Sequence, residues 1–343
     1  MKKNGLTHRQ QGMTLIEIMI ALLLGAFLLA GVLQIFLGTK QTYRMQDNIS
    51  RLQENGRFAM EFITRDLRMA GYFGCLGDVT AGNIENEMND QSNTAWNILT
   101  PLMGYNNVDN TFAVFNNVVV NTDVIVMMGL AAGGTPLVSP YSDSAQMFVD
   151  PNFNADCPAG SATTCHEGEI LMVTDCSQGT IFQTTQTTNI GGTPAGVNIV
   201  HSANNTFTPG NAAPATFTRT YGQGSQIARL LTYGYYIRQN AAAQPSLYRS
   251  TLVVTSNEDN AFGAEELVEG IENLQILYGE DTDTPKDGTP NYYVDADNVA
   301  DMDDVVGLRI VLTARTMDAN LTNTGDGRLR RTFSSTILLR NRL

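Results

Sequence analysis

The sequence predicts an α+β protein in which one long N-terminal helix packs on an antiparallel β-sheet domain with large β and loop insertions. The first observation is a proline-free stretch, residues 13–70, that is apolar at first and amphipathic later. The second is a change near residue 71 to short apolar runs separated by segments rich in Gly, Asn and Thr. Helical spacing followed by short strand-like runs is typical of this fold class.

The composition favours a protein that lies outside the cytoplasm. Of its 343 residues only 16% are charged, and the formal net charge is −13. Nucleic-acid binding usually requires a basic stripe, so this charge argues against direct binding to nucleic acid. The N-terminus differs from the rest, because Lys2, Lys3 and Arg9 precede the first apolar run with no acidic residue among them.

Residues 13–37 have the length and composition of a membrane span. No charged residue occurs from Ile18 to Leu37, and these 20 residues form a helix of about 30 Å, enough to cross a bilayer core. The basic residues before the span should stay in the cytoplasm. A cleaved signal peptide is one alternative, but its apolar core is shorter and no convincing small-residue cleavage site follows here. A plain signal anchor is the other.

A plain anchor leaves the carboxylate of Glu17 unexplained. A charge inside a membrane span costs about 2.5–3.5 kcal/mol on insertion scales, and such residues are usually functional. The simplest alternative places Glu17 at the membrane surface, where its side chain reaches water.

The string GMTLIE at residues 12–17 resembles the processing motif of type IV prepilins. In that family a membrane peptidase cuts after the glycine and methylates the new N-terminus, and the apolar helix stays in the mature protein. The resemblance implies a leader peptide over residues 1–12, cleavage between Gly12 and Met13, and N-methylation of Met13. The family most often has Phe at the first mature position, and the unbranched apolar Met13 fits the same role.

The resemblance also implies roles in assembly for Glu17 and Thr14. Cleavage creates a positive amino group on Met13, and Glu17 of one subunit can neutralise that charge on its neighbour inside a helix bundle. Such an ion pair is costly for one subunit alone and favourable once the second subunit is present. We therefore expect Glu17 to set the docking of the subunit into a growing filament.

Residues 38–70 should continue the same helix as an amphipathic segment that needs a sheet to pack on. The expected result is one helix of roughly 55–58 residues, with its transmembrane or filament-core part over 13–37. Type IV pilins and the pseudopilins of type II secretion share such a long, half-embedded helix. Apolar and small residues recur at helical spacings of three and four at Ile49, Leu52, Gly56, Ala59, Ile63, Leu67 and Ala70.

The globular domain over residues 71–343, called the headgroup below, should be rich in β structure. The segment Gly263–Glu272 predicts a short amphipathic helix. The stretch 179–226, rich in Thr, Asn, Gly and Ala, predicts exposed irregular β structure or decorating loops, with a disordered linker as the alternative. Apolar runs predict strands at 122–128, 169–174, 227–237, 245–254, 274–278, 305–314 and 332–340.

The four cysteines, Cys75, Cys157, Cys165 and Cys176, indicate two disulfides in an exported chain. Three pairings are possible, and sequence alone does not choose among them. We prefer Cys157 with Cys165, which closes a short loop, and Cys75 with Cys176. A zinc site that uses these cysteines with His166 is the alternative, although the chain has no Cys-x-x-Cys pair.

An acidic loop follows the predicted strand at 274–278. As an EF-hand it fails, because Pro285 stands where the third ligand should be and Tyr292 where the bidentate glutamate should be. We expect a solvated loop, with calcium at Asp281, Asp283 and Asp287 as the weaker alternative, and we predict neither a resident metal nor a cofactor.

The C-terminal strands extend the resemblance. The segments LVEGIENLQILYGEDTDTPKDG, VVGLRIVLTART and FSSTILLRNRL look like those of PilW-type minor pilins, which share their plan with the J-type pseudopilins of type II secretion. The chain contains no Gly-x-Ser-x-Gly elbow, P-loop or His-Glu-x-x-His motif, so we predict no enzymatic activity.

These resemblances imply a minor pilin that helps to prime type IV pilus assembly and sits at the pilus tip, supporting motility, adhesion or DNA uptake. They imply as partners the prepilin peptidase, other minor pilins, the major pilin, a PilY-type tip adhesin and, before assembly, inner-membrane lipid. The implied location is the bacterial inner membrane with a cytoplasmic N-terminus, then the pilus. Two alternatives stay open: a J-type minor pseudopilin of type II secretion, and a membrane-anchored periplasmic enzyme or binding protein.

Overall fold

Helix α1 runs without interruption from Leu15 to Leu67, which is 53 residues. The structure is a computed structural model that describes residues 12–77, 79–141, 145–155, 157, 165–191, 195–203, 207–214, 216–255 and 259–342. The predicted leader therefore lies outside the described residues, apart from Gly12. After α1 the chain turns at Gly71, whose φ of +73° is left-handed and favours glycine. The single long helix predicted from the proline-free sequence is confirmed.

The headgroup is built from strands, with short 3₁₀ turns at Pro151–Asn154, Ala296–Asn298, Met302–Asp304 and Arg340–Arg342. In chain order the strands are β1 (Ile84–Asn86), β2 (Leu102–Tyr105), β3 (Val124–Leu130), β4 (Thr135–Pro136), β5 (Gln146–Val149), β6 (Ile170–Thr174), β7 (Gly179–Gln183), β8 (Gln186–Ile190), β9 (Gly196–Val200), β10 (Gln226–Gln239), β11 (Pro245–Val254), β12 (Asn260–Glu269), β13 (Ile271–Glu280), β14 (Tyr292–Val294), β15 (Val305–Arg315) and β16 (Arg330–Leu338).

The strands form three sheets. The largest has the order β1-β7-β6-β10-β11-β12, with β3 and β4 also paired to β10 and β2 paired to β3. The second has the order β14-β13-β15-β16, and the third β5-β9-β8. Only β1 and β7 pair in parallel among the described strands. The long strand β10 changes partners along its length, pairing with β6 near its start and with β3 and β11 further on.

The second half of α1 packs on the second sheet. Its buried positions share one core with the inward faces of β13 and β15, so the amphipathic stripe predicted from the sequence faces the sheet. Burial of apolar surface stabilises this contact by about 25 cal/mol for each Å² of apolar surface removed from water. The buried residues at the contact include Leu52, Ala59, Ile63 and Leu67 of α1, Leu274 and Ile276 of β13, and Leu308, Ile310 and Leu312 of β15.

The end of α1 is fixed to the largest sheet by two kinds of contact. The hydroxyl of Tyr235 donates to Asp66 at 2.5 Å, and Arg249 pairs with the same carboxylate at 3.2 Å. Burial raises the pKa of Tyr235 well above its usual value, so the hydroxyl keeps its proton and stays a donor. In addition, backbone hydrogen bonds join Gly71 N–H to Met128 O and Leu130 N–H to Tyr72 O.

The backbone contact depends on a glycine in β3. A Cβ atom at Gly129 would lie 2.8 Å from the carbonyl oxygen of Met69 and 3.3 Å from that of Tyr72. Both neighbours are backbone atoms held by hydrogen bonds, the Tyr72 carbonyl by Leu130 N–H and the Met69 carbonyl by Tyr72 N–H at 3.1 Å. The turn after α1 can therefore approach β3 this closely only because residue 129 has no side chain.

We expect Gly129→Ala to destabilise the headgroup by about 1–3 kcal/mol, because the turn must move away from β3 to admit the methyl group. Thermal unfolding of the full chain in detergent, followed by near-ultraviolet circular dichroism, measures the loss. The matched control is Gly82→Ala, where the nearest heavy atom to the new Cβ is a threonine hydroxyl at 3.7 Å. Equal melting temperatures for the two variants would contradict the steric argument.

Two predictions about the headgroup were wrong. The first is the helix over Gly263–Glu272, where the structure has strand β12, a turn at Gly270 with φ +81°, and the start of β13. Strand β12 pairs antiparallel with β11 over Ser246–Val254. Helix-forming residues such as glutamate have only weak local preferences, and pairing with β11 overrides them.

The second wrong prediction concerns residues 179–226. The predicted β structure is present as β7, β8, β9 and the start of β10, but it is regular and largely buried rather than exposed and irregular, whereas the described residues between 201 and 225 form loops. Phe182, Val197, Ile199, Phe217 and Tyr221 are buried in one core with residues of β5 and β6. The abundant Thr and Asn hid this core, because only alternate residues of a strand need to be apolar.

Candidate processing and assembly site

Thr14 and Glu17 form a reciprocal cap at the start of α1. The Thr14 N–H and hydroxyl each donate to Glu17 Oε2 at 3.0 Å, and the Glu17 N–H donates to Thr14 Oγ1 at 3.4 Å. Two free N–H groups of the first turn thereby find acceptors, as in the capping box. The carboxylate also lies at the positive end of the helix dipole, where a negative charge is favoured.

The first half of α1 contacts nothing else among the described residues. The helix contains a window long and apolar enough to cross a membrane, by length and composition, and none of that window is buried. Large side chains remain mostly in the open, with Leu15 77%, Phe27 72% and Ile35 71% exposed. Monomeric proteins rarely expose apolar surface on this scale to water, so this segment requires lipid or other helices around it.

Gly12 has no structural requirement for glycine within the described part of the chain. A Cβ atom built at residue 12 would have no heavy atom within 4 Å, and its φ is not left-handed. The same space is open at Gly25, Gly31 and Gly38 of α1. The described fold therefore gives no steric reason for a glycine at position 12.

The middle of α1 is fixed by polar contacts to distant parts of the chain. Asp318, in the loop between β15 and β16, accepts from Arg44 Nη2 at 3.2 Å and Asn48 Nδ2 at 3.1 Å. These two donors hold the pKa of Asp318 below its usual value, Asn48 having the larger effect. Asn55 Nδ2 donates to the carbonyl of Glu269 at 3.0 Å. Sequence analysis missed these residues, since nothing local relates Asn48 to a residue 270 positions away.

The structure joins Cys75 to Cys176 and Cys157 to Cys165, the pairing preferred from the sequence. In this state Cys157 and Cys165 are not thiolates, so neither can serve as a zinc ligand as the alternative required. His166 is buried beside them, with Nδ1 2.9 Å from Glu169 and Nε2 3.0 Å from the Phe153 carbonyl. Arg229 approaches the same Glu169 carboxylate at 3.1 Å, so this cluster is satisfied as a structural network.

The three weak calcium candidates do lie together. Carboxylate oxygens of Asp281, Asp283 and Asp287 all come within 4.8 Å of one another. Asp281 is fully buried and accepts backbone hydrogen bonds from Gly288 at 2.6 Å and Asp283 at 3.2 Å. The main role of Asp281 in the structure is thus to shape the loop. Apart from the short distances between the three carboxylates, the described residues show no arrangement of calcium ligands here.

Comparison with known protein families matches the two ends of the chain. Residues 7–33 match the family model of the prokaryotic N-terminal methylation motif. Residues 234–341, from within β10 to the last 3₁₀ turn, match the family model described as type IV pilus-assembly protein W. No curated protein and no solved structure matches the chain.

Proposed function

We propose that this protein is a minor pilin of the PilW type that helps to prime type IV pilus assembly. The proposal is supported by the match of residues 234–341 to the type IV pilus-assembly protein W model and of residues 7–33 to the N-terminal methylation motif. The protein is processed between Gly12 and Met13 by the prepilin peptidase, and Met13 is then N-methylated. It joins other minor pilins and contacts the major pilin and a PilY-type tip adhesin. The resulting tip complex supports pilus-dependent motility, adhesion or DNA uptake.

One observation carries this proposal: a single continuous helix that is wholly exposed and apolar in its first half and packed on a sheet in its second half. A rigid rod of this kind can hold the headgroup at a membrane before assembly. The same apolar surface can then pack against the helices of other subunits. The span is thus a temporary anchor in the inner membrane, with the N-terminus cytoplasmic and the headgroup outside.

The size of the headgroup supports a position at the tip. Residues 71–343 form three sheets at the end of one helix, and so bulky a unit is awkward to repeat along a thin fibre. At the tip it meets neighbours on one side only. No group with a catalytic arrangement is needed for this role, because helix packing and headgroup contacts supply the free energy of assembly.

The test is deletion of the gene, scored for surface pili, twitching motility, DNA uptake and protein secretion. We expect strongly reduced surface pili and twitching with secretion unchanged, and restoration by the wild-type gene. Loss of secretion with normal pili would assign the protein to type II secretion instead.

Processing is tested separately by intact-mass analysis. In cells with the prepilin peptidase the protein should lack residues 1–12 and gain one methyl group, whereas peptidase-deficient cells should retain the full chain. If the chain kept residues 1–12 in the presence of the peptidase, the pilin assignment would be wrong.

A further inference from the structure

An open groove between the end of α1 and the C-terminal segment concentrates arginines in an otherwise acidic protein. The groove has a volume of about 970 Å³ and is lined by Arg57, Arg65, Arg68 and Arg340, by one carboxylate, Glu61, and by Met69 and Tyr72 as apolar surface. We call it the arginine groove. The net charge of the whole chain is −13, so a cluster of four guanidinium groups is a local exception.

These four arginines lack the carboxylate partners that several other arginines of the molecule have. Arg44, Arg51, Arg249 and Arg330 each form an ion pair. Within the described part of the chain, by contrast, no arginine of the groove forms one, and Arg57 makes only a distant contact with the Phe58 ring at 6.0 Å. Glu61 offsets one of the four positive charges without forming an ion pair with any of them, so the groove keeps an excess of positive charge.

A cavity next to the groove contains a buried arginine with an unused donor. The cavity measures about 330 Å³ and shares Asn341 with the groove. The side chain of Arg342, which lines it, is only 8% exposed. Its Nη2 donates to the Met302 carbonyl at 2.6 Å and to Asp303 at 2.9 Å, but its Nη1 has no hydrogen-bond partner among the described residues. Buried polar groups are normally satisfied. Because Nη1 itself is buried, an acceptor in the cavity reaches it only after the Arg342 side chain turns toward the cavity.

The rest of the cavity wall is partly apolar, with Phe73, Val79, Leu99 and Pro101 among its lining residues. An acceptor that reaches Arg342 would therefore enter beside apolar surface. A carboxylate on a peptide that also carries apolar side chains meets both requirements, and arginine binds carboxylates particularly well.

The position of the groove along α1 argues against a lipid ligand. From Leu37, where the apolar span ends, to Arg57 is about 30 Å along the helix, and Arg65 is about 12 Å further. The Debye length in physiological salt is about 8 Å, so the charge of anionic lipid headgroups is screened at this distance. A ligand for the groove must come from the periplasmic side or the outside.

We propose that the arginine groove and the adjoining cavity bind an extended acidic segment of another protein. One carboxylate of the segment pairs with Arg342 in the cavity, and others pair with Arg65, Arg68 and Arg340 along the groove. From Arg57 to Arg68 is about 16 Å, which about five residues of extended chain span. The acidic remainder of the surface repels such a segment, so it is directed to this groove. The proposal does not depend on which filament the protein joins.

The binding test uses the full chain in nonionic detergent and a fluorescent ten-residue peptide of alternating glutamate and alanine. We expect saturable binding that weakens about tenfold or more in the double variant Arg65→Glu/Arg68→Glu. Both side chains are exposed and unpaired, so the variant should fold. The matched control, Lys40→Glu/Arg51→Glu, makes the same charge change on α1 outside the groove and should bind normally. No binding, or equal binding by both double variants, overturns the proposal.

The same assay distinguishes the competing ligands. A ten-nucleotide single-stranded DNA or a phosphatidylglycerol vesicle that binds more tightly than the peptide would also overturn the proposal. In cells, p-benzoylphenylalanine placed at Met69 should crosslink to a protein segment rich in Asp and Glu, identified by mass spectrometry. The Arg65→Glu/Arg68→Glu background should abolish that crosslink. A crosslinked segment that is neutral or basic contradicts the inference.

Discussion

Glu17→Ala should leave the protein in the inner membrane and exclude it almost completely from pili. The substitution does not impair insertion, because it removes a charged group from the start of an apolar span, where a charge costs free energy. In the proposed assembly, however, the variant lacks the partner for the positive N-terminus that the proposed cleavage creates on Met13. An unpaired charge in a helix bundle costs about 3–5 kcal/mol, enough to reduce incorporation by about 150-fold to about 5,000-fold.

The capping box offers a second explanation for Glu17 that two further variants separate. Glu17→Gln can still accept the hydrogen bonds from Thr14, since glutamine serves in capping boxes, but it carries no charge. Thr14→Ala removes the hydroxyl of the cap and keeps the charge. If charge pairing sets assembly, Glu17→Gln fails like Glu17→Ala, whereas Thr14→Ala assembles.

The measurement is the ratio of the protein in sheared pili to that in the inner membrane, by quantitative immunoblot. Intact mass of each variant confirms that residues 1–12 have been removed, so that a defect in processing is not counted as one in assembly. Normal incorporation of Glu17→Ala would refute the role assigned to this carboxylate.

Removing the Cys75–Cys176 disulfide, with both cysteines changed to serine, should destabilise the headgroup by about 4–5 kcal/mol. The bond joins residues 101 positions apart, and a crosslink that closes so long a loop greatly reduces the conformational entropy of the unfolded chain. It also connects the segment just after α1 to the turn between β6 and β7. Its loss therefore weakens the connection between the helix and the edge of the largest sheet.

The Cys157–Cys165 pair provides the control within the same chain. It closes a loop of only eight residues in sequence separation, so its removal should cost about 2–3 kcal/mol in the same loop-entropy estimate. Urea unfolding of the full chain in detergent gives both values. Equal losses for the two double variants, or a larger loss for Cys157→Ser/Cys165→Ser, would contradict the loop-length argument.

Most strands could be predicted from the sequence where their apolar runs are short and clearly bounded. The runs at 227–237 and 245–254 correspond to β10 and β11, and the run at 305–314 to β15. Strand β12 could not be predicted, because apolar and polar residues do not alternate in its Glu-rich segment and most of its side chains are exposed. Its structure depends on hydrogen bonds to β11, which a local pattern does not contain.

The residues of the candidate site and those of the arginine groove also differ in how well the sequence predicts them. Gly12, Met13, Thr14 and Glu17 are adjacent in the chain, so a short motif is enough to propose their roles. The arginine groove is assembled from α1 and the segment at Arg340, which are far apart in sequence. Arginines scattered through an acidic sequence do not indicate a binding site. The site forms only when folding places these four close together without ion-pair partners.

Local sequence patterns were sufficient to predict the long helix, its change from apolar to amphipathic, and the motif at its start, because each pattern relates residues at most a few turns apart. How the headgroup meets that helix depends on tertiary contacts. Asp318 contacts α1 from the loop after β15, Gly129 admits the turn at Tyr72, and β12 exists through its pairing with β11. These contacts join residues distant in the chain, and their energies arise only when packing brings the two partners together.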